Sequence, residues 1–329
     1  MTTRDLTRDG SSDIIWWNDN GALGYWDFDH GTPSWAALQS VNRSAATLLG
    51  VGDVTGDGGQ DILWDARDTV IATTFLYYGE ITNQRVGYWD MDNSRIESWQ
   101  LTGDNFSSTY LRSNFPPITE EVRGHLVDII YSDGADFLGD GRSSYIINDQ
   151  GTYSIRALAD PNHAYTTYSI SPGSDWSIAG LGDFTKDRTT DILWRNAATD
   201  EVALHSVKNG VSISYTALGS VGQNWEVAAT DDFNGDGRAD ILWRDASTNH
   251  YGFWTTFDYG SSVAAAWTEL GIFDPDWQVA KTGDYFGDGS ADLIWRSTST
   301  GELQLWDYDQ GVMTGYVGLG IVSTDWHLV

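Results

Sequence analysis

Short apolar runs recur along the whole chain, each closed by a polar turn rich in Gly, Asp and Asn. No stretch carries apolar residues at the 3.6-residue spacing of a helix face, so the pattern predicts strands alone. The runs come in sets of four. The first opens on a tryptophan, as in Trp176-Ser177-Ile178-Ala179, Trp225-Glu226-Val227-Ala228 and Trp277-Gln278-Val279-Ala280. The second is apolar on successive residues, as in Asp191-Ile192-Leu193-Trp194 and Asp292-Leu293-Ile294-Trp295. That is the pattern of a strand covered on both faces. A third lies 11 residues further on, from Trp243 to Trp254, Trp295 to Trp306 and Trp194 to His205. A weaker fourth ends near Leu218-Gly219, Leu270-Gly271 or Leu319-Gly320. Four short strands bounded by turn residues make one antiparallel sheet per unit.

Between the first and second strands sits the best-marked stretch of the chain, Asp232-Phe233-Asn234-Gly235-Asp236-Gly237-Arg238-Ala239-Asp240. Close versions begin at Asp5, Asp53, Asp136, Asp183 and Asp284, so the loop occurs six times. Self-similarity at about 40–50 residues means a repeat array or a propeller, and radial packing of four-stranded sheets is a β-propeller. The expectation is an all-β, six-bladed β-propeller occupying residues 1–329 as a single domain. The chain starts with a loop and ends on Asp325-Trp326-His327-Leu328-Val329, a first strand with no loop behind it. The C-terminal strand is therefore expected to complete the first blade. One unit is stretched twice: Trp64 to Trp89 spans 25 residues where other units have 11, and Trp89 to Ile129 spans 40 where others have about 20. Two insertions, about 67–85 and 103–123, account for this. By strand order they fall on the face opposite the Asp loops. Their Tyr77, Tyr78, Phe106, Tyr110, Phe115 and Pro116-Pro117 suggest ordered, functional loops.

The Asp loops have calcium chemistry. Ca²⁺ takes six to eight oxygen ligands from carboxylates, carbonyls and water. Carboxylates at loop positions 1, 5 and 9 can curl around one point, and Gly at position 6 permits the sharp turn. The candidate ligands are Asp5, Thr7, Asp9 and Asp13; Asp53, Thr55, Asp57 and Asp61; Asp136 and Asp140; Asp183, Thr185, Asp187 and Asp191; Asp232, Asn234, Asp236 and Asp240; and Asp284, Asp288 and Asp292. The fifth loop fits best. The third carries Leu138 and Ser144 where oxygen-rich residues are wanted, the fourth has Arg188 in place of Gly, and the sixth has Phe286 at position 3. The alternative is an Asp-rich turn capped by its own side chains.

The motif Gly-Asp-Phe/Val-x-Gly-Asp-Gly-x-x-Asp-Ile-Leu-Trp resembles the FG-GAP/VCBS repeat family. It is seen in Gly52-Asp53-Val54-Thr55-Gly56-Asp57-Gly58 and in Gly283-Asp284-Tyr285-Phe286-Gly287-Asp288-Gly289. The resemblance runs over essentially the whole chain. It implies a β-propeller, as in integrin α-subunits, with Ca²⁺ in the Asp loops. Lectins with similar repeats bind sugars between blades, on seven blades where this chain has six units. By resemblance the chain is expected to be extracellular or secreted. Its N-terminus, Met1-Thr2-Thr3-Arg4-Asp5, runs straight into the first loop without a signal peptide, which leaves a cytoplasmic location open.

Composition narrows the classes. Net charge is -29, and Asp supplies 39 of the 47 acids. Nucleic-acid phosphates want Lys and Arg, so nucleic acid is excluded as a partner, as is an anionic membrane. No run approaches the roughly 18 apolar residues of a membrane span. With no Cys there is no disulfide, thiolate metal site or cysteine nucleophile. Calcium ligation and a solvated acidic surface both account for acidity of this kind.

The 17 Trp divide by position. Trp16, Trp64, Trp194, Trp243 and Trp295 follow the ninth-position residue and suit blade-to-blade packing. Trp26, Trp89, Trp254 and Trp306 fall on third strands nearer the rim, where a ring could stack on a sugar together with Tyr77, Tyr78, Phe106 and Tyr110. There is no His-Glu-x-x-His, Gly-x-Ser-x-Gly or Gly-x-x-x-x-Gly-Lys motif. The acid–base candidates are Glu80, Glu120, Arg123 and His125, with Glu121 beside them. The leading expectation is a calcium-stabilised, non-catalytic propeller binding an extracellular ligand, carbohydrate foremost. An enzyme with its site on the two insertions is the first alternative, and a protein-interaction platform the second.

Overall fold

The computed structural model describes residues 5–38, 40, 46–53, 60–73, 77–92, 95–113, 128–130, 134–149, 151–157, 167–170, 172–259 and 262–328. It is an all-β propeller of four-stranded antiparallel blades.

Four blades are described in full. The first joins β1 (Ile14–Asn18), β2 (Leu23–Asp29) and β3 (Thr32–Ala37) to β24 (Trp326–Leu328) from the other end of the chain. A second runs β12 (Trp176–Gly182), β13 (Asp191–Asn196), β14 (Glu201–Lys208), β15 (Val211–Ser220). A third runs β16 (Trp225–Asp231), β17 (Asp240–Asp245), β18 (His250–Tyr259), β19 (Ser262–Ile272). The fourth runs β20 (Trp277–Gly283), β21 (Asp292–Ser297), β22 (Glu302–Asp309), β23 (Val312–Ile321). Two further four-stranded sheets are traced largely by backbone. One is β4 (Ala46–Gly52), β5 (Asp61–Thr73), β6 (Tyr77–Asp92) and β7 (Arg95–Ser113). The other is β8 (Asp128–Ile130), β9 (Ser144–Asp149), β10 (Thr152–Ala157) and β11 (Thr167–Ser169). The six-blade expectation thus rests on four blades described in full.

The second strand of each full blade is buried on both faces because neighbouring blades cover it. Trp16, Trp194, Trp243 and Trp295 are almost completely buried. Trp243 packs with Phe184, Leu193 and Leu204 of the preceding blade, so these rings fill the gaps between blades. Burying an aromatic of this size contributes on the order of 3 kcal/mol.

Four first strands carry a β-bulge at the same place, between Leu48 and Gly50, Ile178 and Gly180, Val227 and Ala229, and Val279 and Lys281. Gly180 has a specific reason: a Cβ there would lie 2.6 Å from Thr230 Cγ2 of the next blade. Thr230 in turn donates its hydroxyl to the Leu181 carbonyl at 2.6 Å, and Thr282 donates to Asp231 at 2.8 Å. The inner strands are therefore pinned to one another side by side.

The chain's two ends meet in one sheet. Trp16 pairs with Leu328, Trp17 with His327 and Asn18 with Trp326.

The insertions differ from the loops that composition suggested. They continue the strands: β5, β6 and β7 have 13, 16 and 19 residues. β5 stays in register with β6 out to Thr73 opposite Tyr78, and β6 pairs with β7 out to Tyr77 opposite Ser113, with register shifts at Arg85/Gly87 and Asp90/Met91. Extending a sheet satisfies backbone groups that a free loop would leave to water, so a long hairpin gives the inserted residues the more economical path. Residues 114–123 of the second insertion lie outside the described residues.

Candidate functional site

The Asp loops form a continuous belt. The amide at loop position 8 donates to the position-1 carbonyl of the preceding loop five times over: Ser143 to Asp53, Thr190 to Asp136, Ala239 to Asp183, Ala291 to Asp232 and Ser12 to Asp284, all at 2.7–2.8 Å. The last bond crosses the chain ends.

Within a loop the carboxylates are wired to backbone. The position-1 carboxylate accepts from the amides of positions 5 and 6, as Asp232 does from Asp236 at 3.1 Å and Gly237 at 2.7 Å. Asp5, Asp183 and Asp284 repeat this. The position-5 carboxylate accepts from position 7, as in Ser11 to Asp9 and Ser290 to Asp288. The position-9 carboxylate ties the loop to the third strand. Its Oδ1 accepts from Phe28, Val207, Thr256 or Tyr308 at 2.8–3.3 Å. Its Oδ2 accepts from the loop's own second or third residue, such as Leu6 at 2.7 Å, Thr185 at 3.0 Å or Tyr285 at 2.9 Å. In the third loop Ser144 takes over, its hydroxyl accepting from Phe137 at 2.9 Å.

Position 4 was missed by sequence reasoning. Positions 4 and 6 are both left-handed, with φ of 69° and 87° at Gly235 and Gly237. Arg8, Lys186 and Arg188 adopt the same conformation without being glycine, with φ of 60–68°. The Gly-Asp-Gly spacing held that signal.

Burial dominates the electrostatics. It pushes Asp13 and Asp292 up to about 8 and Asp191 and Asp240 up to about 7, against the backbone amides that favour their ionised forms. Asp232 rises to about 6 for the same reason. At Asp240, Thr256 holds Oδ1 and the Phe233 amide also favours the ionised carboxyl, but no well-formed hydrogen bond reaches the buried Oδ2. Among the described residues, no three His, Asp or Glu side chains converge as a ready-made metal cluster. Asp5, Thr7, Asp9, Asp53, Asp61, Asp136, Asp140, Thr185, Asp187, Asn234, Asp284 and Asp288 lie in or flank the described loops. Thr55 and Asp57 lie outside the described residues.

The expected ligand residues separate. Trp26, Trp254 and Trp306 are half-buried and lie against the core rings of Trp16, Trp243 and Trp295, with centroids 4.9, 5.2 and 5.4 Å apart. Tyr77, Tyr78, Glu80 and Trp89 fall on β6, and Phe106 and Tyr110 on β7. Glu80 stands opposite Ile71 on one side and Tyr110 on the other. Glu120, Arg123 and His125 lie outside the described residues. Elsewhere, a cavity of 210 Å³ opens between β16 and β20, lined by Ala228, Ala229, Thr230 and Lys281 among others.

No family model matches the chain, and no curated protein does. Solved structures share its shape. A 6-phosphogluconolactonase-type protein of Bacteroides uniformis has 10% identity and a TM-score of 0.46 over 96% of this chain and 99% of its own. The periplasmic gluconolactonase PpgL of Pseudomonas aeruginosa has 12% identity and a TM-score of 0.44 over 97% and 99%. The Tc holotoxin pore of Photorhabdus luminescens has 17% identity and a TM-score of 0.49, covering 88% of this chain and 13% of that one. At these identities the likeness is one of fold.

The lectin-like expectation is corrected. A sugar platform needs a tryptophan lying flat at the surface, and the rim rings Trp26, Trp254 and Trp306 are spent on packing against core tryptophans.

Proposed function

We propose that this chain is an enzyme whose reaction centre is assembled on the β5–β7 ribbon and the segment that follows it. The ring of blades serves as its scaffold. One observation carries the reading. One unit departs from the repeat, and it does so by extending its second, third and fourth strands to 13, 16 and 19 residues where those of the fully described blades have 5–11. A rigid paired ribbon positions side chains better than a loose loop. The candidates by sequence are Glu80 on β6 and, in the stretch after β7 that lies outside the described residues, Glu120, Arg123 and His125; Glu and His could accept or donate the proton, and Arg123 could steady negative charge. The scaffold is read as a closed ring of six blades, a reading supported by pairing into six sheets.

The Asp loops are read as structural calcium sites of FG-GAP/VCBS type. The support is in the fifth loop, where the buried Asp240 Oδ2 makes no well-formed hydrogen bond, its carboxyl being favoured only by the Thr256 and Phe233 amides, and a cation would satisfy it. Asp232, Asn234, Asp236, Asp240 and the Arg238 carbonyl would hold the ion. Its part is to neutralise buried carboxylates, not to react.

The test is a turnover screen over chromogenic esters, lactones, glycosides and phosphoesters. Activity found in the native chain is expected to fall at least 100-fold in Glu80→Gln or His125→Ala, with the melting temperature unchanged. A variant with residues 68–83 and 103–123 each shortened to a tight turn is expected to be inactive and folded. Full activity in that variant would overturn the reading.

A further inference from the structure

Two junctions between blades are closed by an arginine. Arg195 donates to the carbonyls of Trp225, Val221 and Gly222, and its guanidinium lies 6.0 Å from the Trp243 ring centroid. Arg296 does the same one junction further on but one. It donates to Trp326 at 2.7 Å, Val322 at 3.1 Å and Ser323 at 3.0 Å, and lies 5.5 Å from the Trp16 ring.

The junction between them has the residue for the same plug, since Arg244 follows Trp243 as Arg195 follows Trp194 and Arg296 follows Trp295. Arg244 does not fill it. Its Nε donates to Asn249 Oδ1 at 2.7 Å and its Nη1 to Glu226 at 2.9 Å. The three carbonyls are met instead by Asn249 Nδ2, at 3.2 Å to Phe273, 3.0 Å to Asp274 and 3.4 Å to Trp277. Asn249 stands where the other units have Asp200 and Gly301. It supplies the donors itself and holds the arginine back, so no guanidinium reaches Trp295.

What remains is a recess of 160 Å³ lined by Phe273, Asp274, Trp277, Trp295, Gln304 and Trp306. Phe273, where the other two units have valine, lies 4.6 Å from Trp295 at 30° and 5.5 Å from Trp306. Gln304 Oε1 accepts from Trp306 Nε1 at 3.2 Å and fixes that ring. The recess is thus three indoles and a phenyl ring with one carboxylate, in a protein of net charge -29.

We propose that this recess binds an organic cation, a guanidinium or alkylammonium head group that packs on the half-buried indoles of Trp277 and Trp306 and pairs with Asp274. Aromatic faces attract cations electrostatically, and Trp does so best. The neighbouring junctions hold a guanidinium over the equivalent tryptophan. The surplus of carboxylates concentrates cations at the surface. None of the residues belongs to the β5–β7 ribbon, so the site is separate from the proposed reaction centre.

The test is titration of the protein with methylguanidinium chloride at constant ionic strength, followed by tryptophan fluorescence and calorimetry, with methylurea as the neutral isostere. Saturable binding is expected for methylguanidinium, at least tenfold tighter than for methylurea. Asp274 is exposed, so Asp274→Asn keeps the fold and is expected to weaken binding about tenfold. Asn249→Gly combined with Phe273→Val recreates the neighbouring unit, and Gly fits the left-handed φ of 56° at Asn249. It frees Arg244 to plug the recess and is expected to abolish binding. Absence of saturation, equal binding of methylurea, or unchanged binding in Asp274→Asn would each overturn the proposal.

Discussion

Asn18 donates its side-chain amide to Asp325 across 3.0 Å, linking residues 307 apart in the chain. The same carboxyl-bearing residue gives its carbonyl to the Asp19 amide at 2.9 Å, and His327 reaches Asp19 at 3.0 Å. The ring is closed by these contacts and by three residue pairs of β1 and β24. Asn18 is buried and its Oδ1 also accepts from Asn20. Asn18→Ala is therefore expected to cost about 1–3 kcal/mol, by removing a hydrogen bond to the half-buried Asp325 carboxylate and another from the Asn20 amide. Denaturant melts of Asn18→Ala, Asp325→Ala and the double variant check this, and the double is expected to cost less than the sum of the singles.

The arginine plugs should matter more than their number suggests. Arg296 satisfies three carbonyls with one side chain, and charged hydrogen bonds are the stronger kind. Arg296→Ala is expected to lose about 2–3 kcal/mol. Arg296→Lys should recover less than half of it, because an ammonium lacks the planar fork that reaches three acceptors and lies against Trp16. Thermal melts of the two variants decide the point.

Stability should fall as pH rises. Burial lifts Asp13 and Asp292 from the usual carboxylate range to about 8 and Asp191 to about 7, so the folded state holds these protons more tightly than the unfolded chain. The resulting stabilisation is complete below about pH 4 and is lost as pH rises through the folded values of 7–8. With chelator present, the melting temperature is expected to decline from pH 5 to pH 8. Asp13→Asn should flatten the decline.

Calcium should oppose that loss. An ion that binds only the folded state stabilises it by mass action, about 2.7 kcal/mol at a hundredfold excess over Kd. Added Ca²⁺ is expected to raise the melting temperature at pH 8 by more than at pH 5. Asp240→Asn should remove the fifth loop's share of that increase. Identical melts in calcium and in chelator would set the metal reading aside.

The repeat was legible because each strand carries its own signature. Trp at the start of β12, β16 and β20, Asp-Ile-Leu-Trp in β13 and β17, and the Asp loop between them repeat nearly unchanged. The pairing of β24 with β1 followed from Trp326 standing at the first-strand position. The ribbon was not legible, since residues 67–85 and 103–113 lack the clean alternation of a half-buried strand, and length alone suggested loops. The plugs were hidden for another reason. Arg195, Arg244 and Arg296 look equivalent, and what separates them is a residue five positions later, Asp200, Asn249 or Gly301, whose effect depends on carbonyls of the following turn. Nor could spacing say where a carboxylate points: the Asp side chains turn to loop amides as readily as they would to a metal.

The join in the first blade also has a mechanical meaning. β1 and β24 are antiparallel, with Leu328 opposite Trp16. The chain therefore enters β1 and leaves β24 at the same end of the pair. Tension on the two chain ends would load the bonds beside Trp16 first and the Asn18–Asp325 contact last, opening the ring one pair at a time, like a zip. A ring sheared along its strands would resist as a block. This one is built to yield at low force from one end, with Asn18 as its final catch.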